Sequence, residues 1–370
     1  MLQSNEISIF FVIFAKILSM SQFHTLVVSD IKRDTAKAVS INFSIPDNLK
    51  SDYKYIAGQY ITLKTSLDGK EIRRDYSLCS SPNSGDLMVA VKEVEDGLFS
   101  KYANRNLNVG DRLEVSTPNG RFTFDADSSK SRHIVCFAAG SGITPILSII
   151  KSVLEDEPNS SVSIMYGNKS IADTMFYDEL STLKEKYPER FNIQFVFSQA
   201  EENDSIFGRI DVGNSNYFVK NSLVSEEIDA YYLCGPEEMI YSINDLLKGQ
   251  GVDHDKIKFE LFKVKLEEDK DESDVAEGQT EITIMLDDEE TTFIMDAKDS
   301  VLDAALARDI DAPYSCQGGI CSSCLARVTE GEVKMRQNNI LTDSEVAEGL
   351  VLTCQSHPLT SKVYIDYDDV

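Results

Sequence analysis

The sequence predicts a multidomain protein: an antiparallel β-barrel, then an α/β domain on a parallel sheet, then a small α+β domain. Three observations predict it. Short strand-like runs punctuated by turn residues fill residues 23–126, apolar runs alternate with helical stretches over 127–265, and four closely patterned cysteines follow near the C-terminus. A chain of 370 residues fits two to three domains at roughly 100–200 residues each. Its 42% hydrophobic content supports real cores without disulfide staples.

The barrel is read from Thr25–Val28, Ala38–Ile45, Tyr60–Thr65, Leu87–Val94 and Arg112–Ser116, with turns at Leu67-Asp68-Gly69-Lys70 and Pro118-Asn119-Gly120. Several short strands at this spacing argue for a closed antiparallel barrel. Within it lies Arg74-Asp75-Tyr76-Ser77-Leu78-Cys79-Ser80. An Arg, an aromatic and a hydroxyl on neighbouring strand positions can clamp a phosphate, cover a ring and donate a hydrogen bond. Taken alone, ordinary strands carry the same pattern.

The α/β domain opens on the apolar run His133–Ala139, followed by Gly140-Ser141-Gly142-Ile143-Thr144-Pro145 and a helical stretch, Ile146–Leu154. Strand, glycine turn and helix N-terminus present backbone N–H groups to a phosphate, and Pro145 suits a first helical turn. The alternation continues through strand Val162–Tyr166, helix Met175–Tyr187, strands Asn192–Ser198 and Ala230–Cys234, helix Pro236–Leu247 and strand Lys258–Phe262. It implies a parallel sheet covered on both faces and a nucleotide site at the glycine turn.

Two segments separate or precede these domains. Leu266–Gln279 carries seven acids and one lysine and reads as a self-repelling linker over 266–279. Ile7–Leu18 is mostly apolar but too short to span a bilayer. Glu6 stands where a signal peptide carries Lys or Arg, and no small-residue cleavage site follows. Residues 1–22 are expected to be an extension, with translation beginning at Met20; a targeting segment is the alternative.

The last domain, 280–370, is read as a hairpin (Glu281–Leu286, Thr291–Met295), a short helix (Val301–Arg308), a cysteine loop, and closing strands Leu325–Thr329 and Val363–Tyr367. Four residues separate Cys316 from Cys321, two separate Cys321 from Cys324, and 29 separate Cys324 from Cys354. This is the plant-type spacing of a [2Fe–2S] cluster on four thiolates. Gly318 and Gly319 let the loop curl and aim amide N–H groups at sulfur. The rivals are zinc and inert buried thiols. Structural zinc pairs two closely spaced cysteine knuckles, and Cys354 has no such neighbour.

Sixty-two acidic against 36 basic residues give a net charge of −26, which argues against nucleic-acid binding and for a basic protein partner met by electrostatic steering. From Thr280 to Val370 there are 18 acidic and 6 basic residues, so −12 sits on the cysteine domain. Seven cysteines, three beyond the cluster set (Cys79, Cys136, Cys234), and the cluster's need for thiolates point to a reducing cytoplasm. The four histidines form no metal or triad pattern.

Together the motifs resemble the ferredoxin–NADP reductase superfamily fused to a plant-type ferredoxin. Arg74-x-Tyr76-Ser77 resembles its flavin signature, and Lys92 with Gly97-Leu98-Phe99-Ser100 its second element, at the flavin diphosphate. Gly140–Pro145 and Cys234-Gly235-Pro236-Glu237-Glu238-Met239 resemble its nicotinamide signatures, and Cys354-Gln355-Ser356-His357-Pro358 the fourth-ligand segment. The resemblance implies a β-grasp fold for the ferredoxin domain, FAD and NADPH or NADH as cofactors, and Cys316, Cys321, Cys324 and Cys354 as metal ligands. It implies cofactor contacts at Arg74, Tyr76, Ser77, Lys92, Gly97, Phe99, Ser100, Gly140, Gly142, Thr144, Lys169, Gly235 and Pro236, with Ser77 and Cys234 catalytic. In the relay so implied, the pyrophosphate lies near Gly140–Thr144 and hydride passes to flavin N5 beside Ser77. Arg74 offsets the flavin phosphates, Tyr76 packs on the flavin, and single electrons go on to the cluster.

With Tyr166-Gly167-Asn168-Lys169, Phe207-Gly208-Arg209-Ile210 and Glu260-Leu261-Phe262, the domain order most resembles reductase subunits of phenylacetyl-CoA epoxidase systems. Lys169 departs from the Arg expected there, which leaves NADPH or NADH open. Phthalate dioxygenase reductases share the order but use FMN; the element at Gly97–Ser100 implies FAD. The partner implied is a terminal oxygenase, with no nucleic acid and no membrane. Alternatives are a general ferredoxin-type reductase for a desaturase or another hydroxylase, and an electron-carrier module that no longer turns over.

Overall fold

The computed structural model describes residues 22–222, 227–262 and 278–370. The 1–22 extension (but for Gln22) and most of the acidic linker lie outside the described residues. The rest divides into two compact units, one over residues 23–262 and the other over 278–370. Among the described residues no helix is long and apolar enough to cross a membrane.

In the first unit, β1 (Phe23–Thr35), β2 (Ala38–Ser44), β3 (Tyr60–Leu67), β4 (Lys70–Ser77), β5 (Leu87–Lys92) and β6 (Arg112–Ser116) form an antiparallel sheet in the order β4-β3-β6-β1-β2-β5. The two edge strands meet where Leu78, just past β4, bridges Val89 of β5, and Cys79 N–H donates to the Met88 carbonyl at 2.8 Å. The sheet thus curls and closes on itself at that end, as a barrel. Asp68 and Gly69 both take positive φ, 53° and 76°, the two-residue turn that fits the twist of a hairpin. It sets the register Leu67↔Lys70 through Tyr60↔Ser77. β1 is far longer than its apolar core, because the charged stretch from Asp30 to Asp34 still pairs with β2 through two register shifts.

Between β5 and β6 lies α1 (Leu98–Arg105), a helix whose opening residues read in the sequence as a cofactor motif rather than as a helix. β7 (His133–Ala139) leads through a short 3₁₀ turn, Gly140–Gly142, into α2 (Ile143–Asp156). β8 (Ser161–Asn168), α3 (Tyr177–Lys186), β9 (Phe191–Phe197), β10 (Ser205–Phe207), α4 (Val212–Tyr217), β11 (Ala230–Gly235), α5 (Glu237–Gly249) and β12 (Ile257–Leu261) follow. Their six strands are parallel in the order β10-β9-β8-β7-β11-β12. The order reverses direction between β7 and β11, and a crevice at such a switch point is where open parallel sheets bind ligands.

Barrel and parallel sheet share one core. Ala57, Cys79, Phe122 and Phe124 from the barrel side pack with Ile146, Ile149 and Tyr232 from the other. Twelve consecutive residues of α2, Ile143 to Leu154, are buried. Two of its polar side chains reach the barrel: Ser148 Oγ donates to the Ser80 carbonyl at 2.7 Å and Lys151 Nζ to the Cys79 carbonyl at 3.1 Å, Lys151 also pairing with Glu179 of α3 at 2.6 Å. The helix that follows the glycine turn is thereby fixed to the strand that continues Tyr76-Ser77.

The second unit holds β13 (Gln279–Leu286), β14 (Glu289–Asp296), α6 (Val301–Leu306), β15 (Leu325–Glu330), β16 (Val333–Met335), α7 (Asp343–Ala347), β17 (Leu350–Leu352), β18 (Ser356–Pro358) and β19 (Lys362–Asp366). Its five-stranded sheet runs β14-β13-β19-β15-β17, with β13 and β19 parallel and the other pairs antiparallel. This mixed sheet around buried α6 residues is the expected β-grasp. β19 ends one residue earlier than the sequence implies. Tyr367 instead turns its ring into the core, with its hydroxyl 2.9 Å from Thr353 Oγ1.

Candidate functional site

Ser77 closes β4, and β-strand alternation sets it on the opposite face from Tyr76. Its hydroxyl donates to Glu260 Oε2 at 3.2 Å. Glu260 lies on β12 directly beside Cys234 of β11 in the parallel register, so the carboxyl joins the two residues expected to be catalytic. Desolvation pushes the Glu260 carboxyl up to about 8; nearby Asp75 adds to this, and the Ser77 hydrogen bond opposes it. Burial raises the Cys234 thiol as well, and Glu260 adds to that rise. Cys234 is therefore a neutral, fully buried thiol, not a thiolate nucleophile.

The two nicotinamide signatures meet at the switch point. A Cβ on Gly142 would stand 2.1 Å from the Cys234 carbonyl oxygen, and one on Gly235 would stand 2.6 Å from Met239 Cε and 3.2 Å from Ala139 Cβ. At Gly142, against a backbone carbonyl, only glycine permits the approach. Gly140 takes φ +56°, and a Cβ there would lie 3.6 Å from Lys92 Nζ. Lys92, the last residue of β5, thus reaches the dinucleotide turn. Burial pushes its ammonium below the ordinary lysine range; Asp173 pulls it back, while Lys169 and Lys37 add repulsion. Lys169 itself is exposed. The first turn of α2 holds no acid and no side-chain cap. Thr144 is buried and gives its hydroxyl to the Ser141 carbonyl at 3.1 Å, and Pro236 is the N-cap of α5.

Other expected contacts divide between surface and scaffold. Arg74 is exposed, with Nη1 on the Arg73 carbonyl at 2.6 Å. The Tyr76 ring is half-buried, 5.5 Å from the Phe99 ring. Phe99 is 1% exposed, which makes it a backing for Tyr76 and a core residue. Ser100 is buried, and its hydroxyl accepts from Val94 N–H at 3.2 Å. Gly97 caps α1 without a side chain. A Cβ there would meet Ser100 Oγ at 2.2 Å and Val94 Cγ2 at 2.5 Å.

In the second unit the four cysteine sulfurs are linked. Cys316 and Cys321 stand 3.0 Å apart at sulfur, and Cys354 bonds to both Cys316 and Cys324. Hydrogen bonds from Cys321 and Cys354, then from the Gly318 and Ile320 amides, hold the Cys316 thiol well below the usual cysteine range. Among the described residues no group of three or more His, Cys, Asp or Glu is disposed to hold a single metal ion. A chain of four thiols, backed by N–H donors, fits a two-iron core that takes two thiolates per iron.

Three domain families match in series: an oxidoreductase FAD-binding domain over residues 26–124, an oxidoreductase NAD-binding domain over 137–245, and a 2Fe-2S iron-sulfur cluster binding domain over 284–359. The chain is 38% identical over 352 residues to a subunit of the 1,2-phenylacetyl-CoA epoxidase of Escherichia coli (strain K12), covering 94% of this chain and 99% of that one. The chain belongs to the ferredoxin–NADP reductase superfamily, in the branch with a C-terminal [2Fe–2S] domain. A 3-ketosteroid-9-alpha-monooxygenase ferredoxin reductase component of Rhodococcus rhodochrous is 32% identical to this reductase, over 92% of this chain and 96% of that one. The solved phthalate dioxygenase reductase shares its fold, with a TM-score of 0.57 and 22% identity over 93% of this chain and 98% of that one.

As a reductase of this superfamily, the protein is an NAD(P)H-dependent oxidoreductase with FAD and [2Fe–2S] domains. Glu260 is the site residue to which the sequence motifs assign no role. The sequence carries no clear signal for it, because alternation sets Glu260 with Lys258 on the polar side of Ile257-Lys258-Phe259-Glu260-Leu261, as in an ordinary half-buried strand.

Proposed function

We propose that this reductase supplies electrons from NADPH to a terminal oxygenase, by analogy with the epoxidase protein of Escherichia coli. The observation that carries the reading is the Ser77–Glu260–Cys234 junction, present in the same chain as a complete four-thiol loop. When bound, FAD accepts a hydride from NAD(P)H and passes single electrons to the [2Fe–2S] cluster, a split that nicotinamide cannot make itself.

The chain's own residues have distinct parts in this reading. Gly140, Gly142, Thr144, Gly235 and Pro236 shape a cradle for the coenzyme pyrophosphate. Lys92 supplies charge to it, and the exposed Lys169 meets a 2′-phosphate, which favours NADPH. Arg74 and the N-terminus of α1 at Gly97 serve the flavin phosphates, with Tyr76 against the ring and Phe99 behind it. Ser77, Cys234 and Glu260 line the hydride position, Glu260 holding a proton there. Cys316, Cys321, Cys324 and Cys354 bind the irons. Residues 23–126, 127–265 and 280–370 act as flavin, coenzyme and ferredoxin modules, the acidic 266–279 segment joining the last two.

The oxygenase is docked transiently, through the −12 charge of the cysteine domain. Its substrate class follows the epoxidase analogue, an acyl-CoA thioester. Seven free thiols support a reducing, cytoplasmic setting. Purified anaerobically, the protein is expected to hold about one flavin and two irons per chain. Cys321→Ser is expected to abolish reduction of a one-electron protein acceptor while sparing NAD(P)H–ferricyanide activity. Loss of both activities in a flavin-loaded variant would overturn the serial relay.

A further inference from the structure

Gln317 lies inside the cysteine loop with φ +52°, a left-handed conformation that a residue with a Cβ adopts only at a cost. Something must hold it there. The Gln355 side chain does so: its Nε2 donates to the Gln317 carbonyl at 3.0 Å. Gln355 is 7% exposed, and its backbone is pinned on both sides, N–H to the Leu352 carbonyl at 2.9 Å and carbonyl from Arg336 N–H at 2.9 Å. The glutamine is thus a fixed arm beside the fourth ligand, Cys354, its stem packed where a Cβ on Gly319 would stand 3.1 Å away.

The Gln317 carbonyl and the Gly318 N–H belong to one planar peptide unit. That N–H points at Cys316 Sγ, 3.4 Å away. Anchoring the carbonyl from behind therefore aims the N–H at the sulfur in front, and a donor on the carbonyl also polarises the unit. Hydrogen bonds to cluster sulfurs are among the levers that set reduction potential. They favour the reduced state, which carries the greater negative charge.

We propose that Gln355 is a positioning residue for the [2Fe–2S] cluster, orienting the Gln317–Gly318 peptide so that it donates to Cys316 and raises the cluster's potential. This rests on the four cysteines binding that cluster. Without the arm, the left-handed Gln317 relaxes, the peptide rotates, and the bond to sulfur is lost.

The test is Gln355→Met, close in shape but with no donor, in the full-length holoprotein. Iron content is measured first: two irons in the wild type establish the cluster, and their absence would overturn the cluster assignment itself. In the variant, the one-electron equilibrium is expected to shift about tenfold toward the oxidised cluster, a fall of about 59 mV. One exchangeable-proton coupling is expected to vanish from the pulsed EPR spectrum of the reduced state. If Gln355→Met does not retain two irons, Gln355→Asn, one methylene too short to reach, is read in its place with the same expectation. A variant with two irons, an unchanged potential and all proton couplings would overturn the proposal.

Discussion

Ser77 donates to Glu260 across 183 residues of sequence, tying the last residue of a barrel strand to the end of the parallel sheet's last strand. The contact places a single carboxyl where flavin and coenzyme motifs converge. An unfolded glutamate gives up its proton near 4.5, whereas Glu260 holds it until about 8. Between those values the native state binds the extra proton, so stability falls as pH rises through the window. The slope is at most about 1.4 kcal/mol per pH unit for one proton. Glu260→Gln keeps the shape without the titration. Thermal midpoints of the flavin-loaded proteins are expected to diverge from pH 5 to 8.5, with the wild type losing more. Parallel profiles would show that Glu260 ionises normally.

Gly142 and Gly249 give opposite expectations from one substitution. A Cβ on Gly142 would overlap the Cys234 carbonyl, whereas nothing lies within 4 Å of one on Gly249. Gly142→Ala is expected to destabilise by about 1–3 kcal/mol and to raise KM for the coenzyme, because the switch-point crevice must open. Gly249→Ala, at the end of α5, is expected to stabilise by up to about 1 kcal/mol through helix propensity. Denaturant midpoints check both, and equal effects would refute the close approach.

Element types are legible in the sequence because their causes are local. The Asp68-Gly69 turn, the apolar β7 run and the Cys316–Cys324 spacing each reveal themselves within a dozen residues. What escapes depends on distance. Phe99 reads as part of a cofactor motif, yet its ring is buried behind Tyr76. Lys92 reads as a flavin contact, and its reach to Gly140 on the other sheet is set by the fold alone. Glu260 acquires its character from Ser77, far away in the chain. The arm of Gln355 is likewise invisible until the fold brings it to Gln317.

In the proposed reading Lys92 and Lys169 meet different parts of the coenzyme. Lys92 is half-buried beside the turn that any dinucleotide shares, whereas Lys169 is exposed at the end of β8. Lys92→Met is expected to raise KM for NADPH and NADH alike. Lys169→Ala is expected to raise KM for NADPH about tenfold, roughly 1.4 kcal/mol, and to leave NADH nearly unchanged. Equal wild-type kinetics with the two coenzymes would remove the role given to Lys169.

The cysteine domain's −12 leads to the last expectation. Charge spread over a docking face accelerates encounter more than it tightens the complex. Salt screens it over a Debye length of roughly 8–10 Å near physiological ionic strength. The 3.0 Å Cys316–Cys321 pair is only partly covered, so on the docking proposal the contact face adjoins that loop. Electron transfer to a basic oxygenase surface is therefore expected to slow steeply from low to high salt. NAD(P)H oxidation with a small neutral acceptor is expected to change little, since it uses residues of the first unit alone. Neutralising exposed acids of the cysteine domain, such as Glu289→Gln with Asp343→Asn, is expected to flatten the salt dependence while leaving the neutral-acceptor rate intact. A flat profile in the unmodified protein would mean that the charge serves solubility, and the docking surface would then have to be sought among uncharged residues.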